Sequence, residues 1–110
     1  IGGGLLGLET AYTLLKTGKQ VRVVELAERI LPIQLDPEGS RFFQAIMEKE
    51  NCPPVLGDVA EALEGGERVT GVRLKSGSTL PADMVVFSIG VRANLDLPKA
   101  CGLRTNRQRW

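Results

Sequence analysis

Three glycines and one acid are the residues of this chain best placed to do chemistry. The sequence opens Ile1-Gly2-Gly3-Gly4-Leu5-Leu6-Gly7, which spells G-x-G-x-x-G at Gly2, Gly4 and Gly7. In such a turn the first glycine lets the chain leave a strand sharply. The second keeps the backbone open to a pyrophosphate, and the third lets a helix lie close on a sheet. The N–H groups of the first helical turn, Leu5 and Leu6 among them, would face the phosphates, with the helix dipole favouring their charge. Glu25 lies 18 residues past Gly7, near the roughly 20-residue offset of an acid that grips an adenosine ribose. A carboxylate accepts from both ribose hydroxyls and repels a 2′-phosphate, so NAD is favoured over NADP. Arg22 and Arg29 are the residues that argue the other way.

Histidine is absent. That removes Ser-His and Cys-His nucleophilic machinery and most zinc sites, so no catalytic residue and no metal-ligand set is assigned. Any reaction would be a cofactor's. Cys52 and Cys101 have neither a C-x-x-C nor a zinc spacing and read as two free thiols of a cytoplasmic protein. A net charge of +1 gives no reason to expect nucleic acid or an acidic membrane surface. No apolar run is long enough to span a bilayer. With 110 residues, 43% hydrophobic and 25% charged, the chain fits one globular domain over 1–110.

The elements that must position these residues follow from periodicity. Leu5 to Thr17 predicts a helix, with Leu5, Leu8, Ala11, Tyr12 and Leu15 on one face and Gly18 just past its end. Val21 to Glu25 predicts a strand. Asp36-Pro37-Glu38 has the N-cap acid, N1 proline and first-turn acid of a helix start. That second helix is expected to run to about Glu50, bury Phe42, Phe43, Ile46 and Met47, and close at Asn51. Pro53 to Leu56 predicts a short edge strand. Val59 to Leu63, Arg68 to Leu74 and Thr79-Leu80, punctuated by Gly65-Gly66 and Ser76-Gly77, predict an antiparallel meander. Met84 to Ile89 is continuously apolar, as in a strand buried on both faces. Asp96 to Cys101 predicts one helical turn closed by Gly102. The expected fold is α/β: a Rossmann-like three-layer domain with a parallel sheet, two helices and the meander. Only Ile1 precedes the glycines, so the first strand of the unit is nearly missing, as in a piece cut from a longer protein.

Two further stretches sharpen the pattern: Gly7-Leu8-Glu9, and Ser88-Ile89-Gly90-Val91-Arg92-Ala93-Asn94, a strand running into a glycine turn. With the glycine loop and Gln34-Leu35-Asp36, they make the chain resemble the NAD-binding domain of FAD-dependent pyridine nucleotide–disulfide oxidoreductases, from Ile1 to about Asn106. The wording Gly-Gly-Gly-Leu-Leu-Gly-Leu-Glu is most similar to the NADH-dependent nitrite reductase branch, with rubredoxin and ferredoxin reductases close behind. The resemblance implies a domain that binds NADH and passes its hydride to FAD, the FAD being held by another domain of the same full-length chain. It implies that Gly2, Gly4 and Gly7 hold the pyrophosphate and Glu25 the ribose. Glu9 would lie near the nicotinamide end, lined also by Gly90 and Val91. The electron acceptor is not implied.

Plainer roles compete. Glu9 could merely complement a helix dipole from the first turn, and Gly90 could merely permit a turn. Three departures from the family stand out: Ala93 replaces its usual proline, Arg107-Gln108-Arg109-Trp110 replaces its returning apolar strand, and neither an FAD glycine motif nor a reactive cysteine pair is present. A nucleotide-sensing module that biases a partner, a remnant without ligand, and an FAD-binding loop are the rival readings.

Overall fold

A computed structural model describes residues 1–105. Asn106 and the Arg107–Trp110 tail, where the resemblance would place a returning apolar strand, lie outside them. Helix α1 covers Leu5–Lys16 and strand β1 Val23–Glu25. Helix α2 covers Pro37–Lys49 and strand β2 Pro54–Leu56. The meander is β3 Ala60–Gly65, β4 Val69–Leu74 and β5 Thr79–Pro81, and the short helix α3 is Asp96–Ala100.

Both long helices end as their sequences direct. Past α1, Gly18 takes φ 78°; its N–H donates to the Leu15 carbonyl at 2.9 Å, and the Lys19 N–H to the Leu14 carbonyl at 3.3 Å. Past α2, Asn51 takes φ 56°, the Asn51 N–H donates to Glu48 and the Cys52 N–H to Met47. These are paired Schellman bonds, which satisfy carbonyls a helix end would orphan. At the start of α2, Asp36 Oδ1 accepts the Gly39 N–H at 2.7 Å.

The layers follow from strand alternation. β1 and β2 pair in parallel, Val23 opposite Pro54 and Glu25 opposite Leu56. Val23 and Leu56 join Leu8, Ala11, Ile30, Leu31, Met47 and Cys52 in a core beneath the two helices. Val24 and Val55 point the other way and pack with Val72, Leu74 and Leu80 of the meander, whose strands pair antiparallel in the order β3-β4-β5. Helices, parallel pair and meander are thus three layers, as expected.

Three expectations fail. Met84 to Ile89 does not form a strand, and it is not buried on both faces: Phe87 is 56% exposed and Ile89 75%. Among the described residues its backbone finds a partner only at Ile1, whose N–H donates to the Val86 carbonyl and whose carbonyl accepts the Ser88 N–H at 2.8 Å. That is one rung of a parallel ladder, Ile1 opposite Phe87, and one rung does not make a sheet strand. On its other side, the Gly2 N–H donates to the Val24 carbonyl at 2.8 Å. The order β2, β1, Ile1–Gly2, Val86–Ser88 is therefore set, but burial of the apolar run is not. The second failure is the face of α2. Phe42 is 71% exposed and Ile46 is also exposed; the helix turns Ser40, Phe43 and Met47 inward instead. Ser40, only 2% exposed, donates to the Ile30 carbonyl at 2.9 Å. That buried bond sets the rotation of the helix. β1 is also shorter than the Val21–Glu25 run.

Candidate functional site

The glycine turn sits where the parallel strands end, with each glycine in a different environment. Gly2 has φ 111°, and a Cβ there would run into the Ser88 carbonyl group, its carbon only 2.7 Å away. At Gly7 a Cβ would strike the Gly2 carbonyl oxygen and lie 3.4 Å from Ser88 Cβ. Gly2 and Gly7 therefore let the turn, the start of α1 and the Ser88 backbone close on one another. Among the described residues, nothing lies within 4 Å of a Cβ position at Gly4. Its glycine opens space instead of relieving a clash.

That space lies at the N-terminus of α1. Gly4 is the N-cap and supplies no side-chain hydrogen bond; the first intrahelical bond is Leu8 N–H to the Gly4 carbonyl at 3.0 Å. The amides of Leu5, Leu6 and Gly7 precede that bond, so the helix offers uncapped donors and its positive dipole end beside an opening.

Glu25, the last residue of β1, forms the adjoining wall. Its Oε2 accepts the Gly3 N–H at 2.5 Å and its Oε1 the Ala27 N–H at 2.8 Å. Each oxygen keeps further lone-pair capacity, so the carboxylate is fixed in orientation and still able to accept from a diol. The structure thus brings together Gly2, Gly4, Leu5, Leu6, Gly7 and Glu25.

The remaining expected residues stand apart. Glu9 is the fifth residue of α1, exposed and past the first turn, where no acid is found. A dipole-complementing role is thereby removed. It lines an apolar groove of about 600 Å³ between α1 and α2, with Leu5, Tyr12, Phe43 and Ile46. Gly90 and Val91 follow Ser88 on an exposed segment, Gly90 at φ 87°, a conformation that favours glycine. No hydrogen bond joins them to Glu9 among the described residues. Cys52 is buried, burial pushing its thiol pKa up, and Cys101 is exposed; both are free.

Several structural contacts were not foreseen. Gly3 is buried, and its carbonyl accepts the Leu31 N–H at 3.1 Å. Arg29 donates to the carbonyls of Leu35 and Pro32 and to Ser40 Oγ. The run of three glycines was a signal for the first; nothing in the pattern around Arg29 signalled the second.

Comparison with known proteins identifies the family. A family model described as pyridine nucleotide-disulphide oxidoreductase matches residues 1–110. The chain is 41% identical over 107 residues to a nitrite reductase [NAD(P)H] of Bacillus subtilis, covering 97% of this chain and 13% of that protein. It is 37% identical to an NADH oxidase of Methanocaldococcus jannaschii, covering 97% of this chain and 24% of that one. A ferredoxin reductase structure from Rhodopseudomonas palustris superposes with a TM-score of 0.90 at 38% identity, over 98% of this chain and 27% of its own. The chain therefore spans about a quarter or less of the length of these relatives.

Proposed function

Because the chain belongs to the pyridine nucleotide-disulphide oxidoreductase family, we propose that it is the NADH-binding domain of a larger FAD-dependent oxidoreductase of the nitrite reductase kind. The observation that carries this reading is the pairing of an open, uncapped helix N-terminus at Gly4 with a fixed carboxylate at Glu25. One receives a diphosphate and the other a sugar diol, at the carboxyl end of a parallel strand where dinucleotides bind in open α/β sheets.

In this reading the amides of Leu5, Leu6 and Gly7 bind the pyrophosphate, and Gly2 and Gly7 keep the turn tight enough to present them. Glu25 orients the adenosine ribose and repels a 2′-phosphate. Glu9, Gly90 and Val91 border the nicotinamide end. Bound NADH supplies a hydride, and the flavin that accepts it belongs to an FAD-binding domain elsewhere in the full-length protein. The part of this chain is to bind and orient, because hydride transfer requires donor and acceptor within roughly 3–3.5 Å. The 110 residues alone should bind NADH weakly and oxidise it at no enzymatic rate. Cys52 and Cys101 are free thiols, and on that ground we place the protein in the cytoplasm; among the described residues, no helix is long and apolar enough to cross a membrane.

The ferredoxin and rubredoxin reductase branch is the alternative within the family, supported by the likeness to the Rhodopseudomonas palustris structure. Calorimetry with NADH tests the shared reading. Heat in the wild type that is lost in Glu25→Ala supports it; heat in neither points to a remnant without ligand. Tight FAD binding without NADH binding would favour an FAD loop.

A further inference from the structure

The Ala27 to Leu35 loop runs from Glu25 toward α2, and Arg29 ties it down from within. Its Nη1 donates to the Leu35 carbonyl and to Ser40 Oγ at 3.2 Å, and its Nη2 to the Pro32 carbonyl at 2.9 Å. Ser40, in the first turn of α2, in turn donates to the Ile30 carbonyl at 2.9 Å. One guanidinium thus spans the loop and fastens it to a helix. Between these ties lies Leu31, at φ 49°, a strained conformation for a leucine. Its N–H donates to the Gly3 carbonyl, and the Gly3 N–H is the one held by Glu25. Gly3 is accordingly gripped from both sides, by the carboxylate through its N–H and by the loop through its carbonyl.

We propose that Arg29 is a positioning residue for the adenosine-ribose end of the site: it holds Leu31 against Gly3, and because its guanidinium is engaged by the loop it is not a receptor for a 2′-phosphate. Arg22, the other arginine near β1, precedes the strand at the end opposite Glu25, roughly 10 Å away at the rise of an extended chain. Arg29 is held in the loop through three of its N–H donors and Arg22 lies at the far end of β1, so preference for the free ribose diol comes from the commitment of Arg29 as well as from the charge of Glu25. This assignment rests on the nucleotide reading above.

The test is calorimetric titration of the chain with NADH and with NADPH, wild type against Arg29→Met, Arg29→Lys and Ser40→Ala, below each protein's melting temperature. Loss of hydrogen bonds from a charged group should weaken binding by about tenfold in Arg29→Met, and by the same factor for both nucleotides. Lysine, lacking the planar fork, should recover only part of that loss. Ser40→Ala should shift binding in the same direction by less and covers the case in which Arg29→Met fails to fold. A drop in NADPH affinity far exceeding the drop for NADH makes Arg29 a phosphate ligand and overturns the proposal. So does a lowered melting temperature with NADH affinity unchanged, which leaves Arg29 a merely structural role. Absence of heat with either nucleotide in the wild type defeats the nucleotide reading itself, and this assignment with it.

Discussion

Glu25 Oε2 accepts the N–H of Gly3 at 2.5 Å, although 22 residues separate them in the chain. The acid proposed to hold a ribose is therefore also a strut of the glycine turn proposed to receive the phosphates. Its second oxygen holds the Ala27 N–H, so the carboxylate links the glycine turn to the following loop.

Replacing that carboxylate by its amide should separate the two duties. In Glu25→Gln, one oxygen becomes an NH₂ that faces a backbone N–H it cannot accept from. The unsatisfied contact should cost about 1–3 kcal/mol of stability. Amide hydrogen exchange should quicken at Gly3 or Ala27, and NADH affinity should fall by about tenfold. Exchange rates at both amides equal to wild type would show that the strut is not made in solution.

The three motif glycines should divide between folding and binding. Gly2→Ala combines φ 111° with a collision against Ser88, and Gly7→Ala drives a methyl into the Gly2 carbonyl. Each should destabilise by about 4 kcal/mol or more, the range of severe backbone and packing faults. Gly4→Ala meets nothing within 4 Å at φ −80°. It should cost only about 1 kcal/mol, the usual helix N-cap penalty for alanine, yet weaken NADH binding by an order of magnitude if the space it fills is the one proposed for a phosphate. Urea denaturation and calorimetry on the same preparations read the split; a Gly4→Ala protein with unimpaired binding contradicts the assignment of that space.

Acid should loosen the meander through Asp58. The Ser76 hydroxyl and the Val59 N–H hold its carboxyl below the ordinary value of 3.8. Asp58 Oδ1 accepts the Val59 N–H at 2.8 Å and the Ser76 N–H at 3.3 Å, joining the entry of β3 to the β4–β5 turn. Because the folded value lies below the unfolded one, the contribution is fully present above pH 3.8 and is lost as pH falls through the folded value. Asp58→Asn should flatten the stability–pH curve in that acid window and leave its slope above pH 5 unchanged. An identical acid limb in both proteins would exclude Asp58 as its source.

The sequence spoke clearly where local rules decide the outcome. Asp36-Pro37, Gly18 and Asn51 marked helix ends because caps are made by the residues themselves. Gly65 and Gly77, both at positive φ, marked the turns of the meander for the same reason. It was ambiguous where partners distant in the chain decide. Met84 to Ile89 has the composition of a central strand, but pairing depends on a neighbouring backbone, and only Ile1 offers one among the described residues. Arg29 looked like a candidate phosphate ligand because its type fits; only the loop geometry shows three of its donors engaged. Spacing singled out Gly2, Gly4, Gly7 and Glu25, which the fold brings together, whereas the second grip on Gly3 through Leu31 depends on a leucine at positive φ that no propensity favours.

The face that α2 turns to the core is open to direct measurement. Apolar periodicity alone placed Phe42 and Ile46 beside Met47, whereas the structure leaves Phe42 71% exposed and buries Met47 to 7% among Leu8, Leu31 and Cys52. Met47→Ala should therefore remove packing atoms from a closed core and cost about 2–4 kcal/mol. Phe42→Ser removes a larger side chain from the surface and should change stability by no more than about 0.5 kcal/mol. The order of the two effects is what the rotation of the helix dictates, since side-chain size alone would reverse it. Chemical denaturation of both variants decides the matter: a Phe42→Ser loss equal to that of Met47→Ala would mean that α2 is rotated in solution, and that the Ser40 hydroxyl does not reach the Ile30 carbonyl.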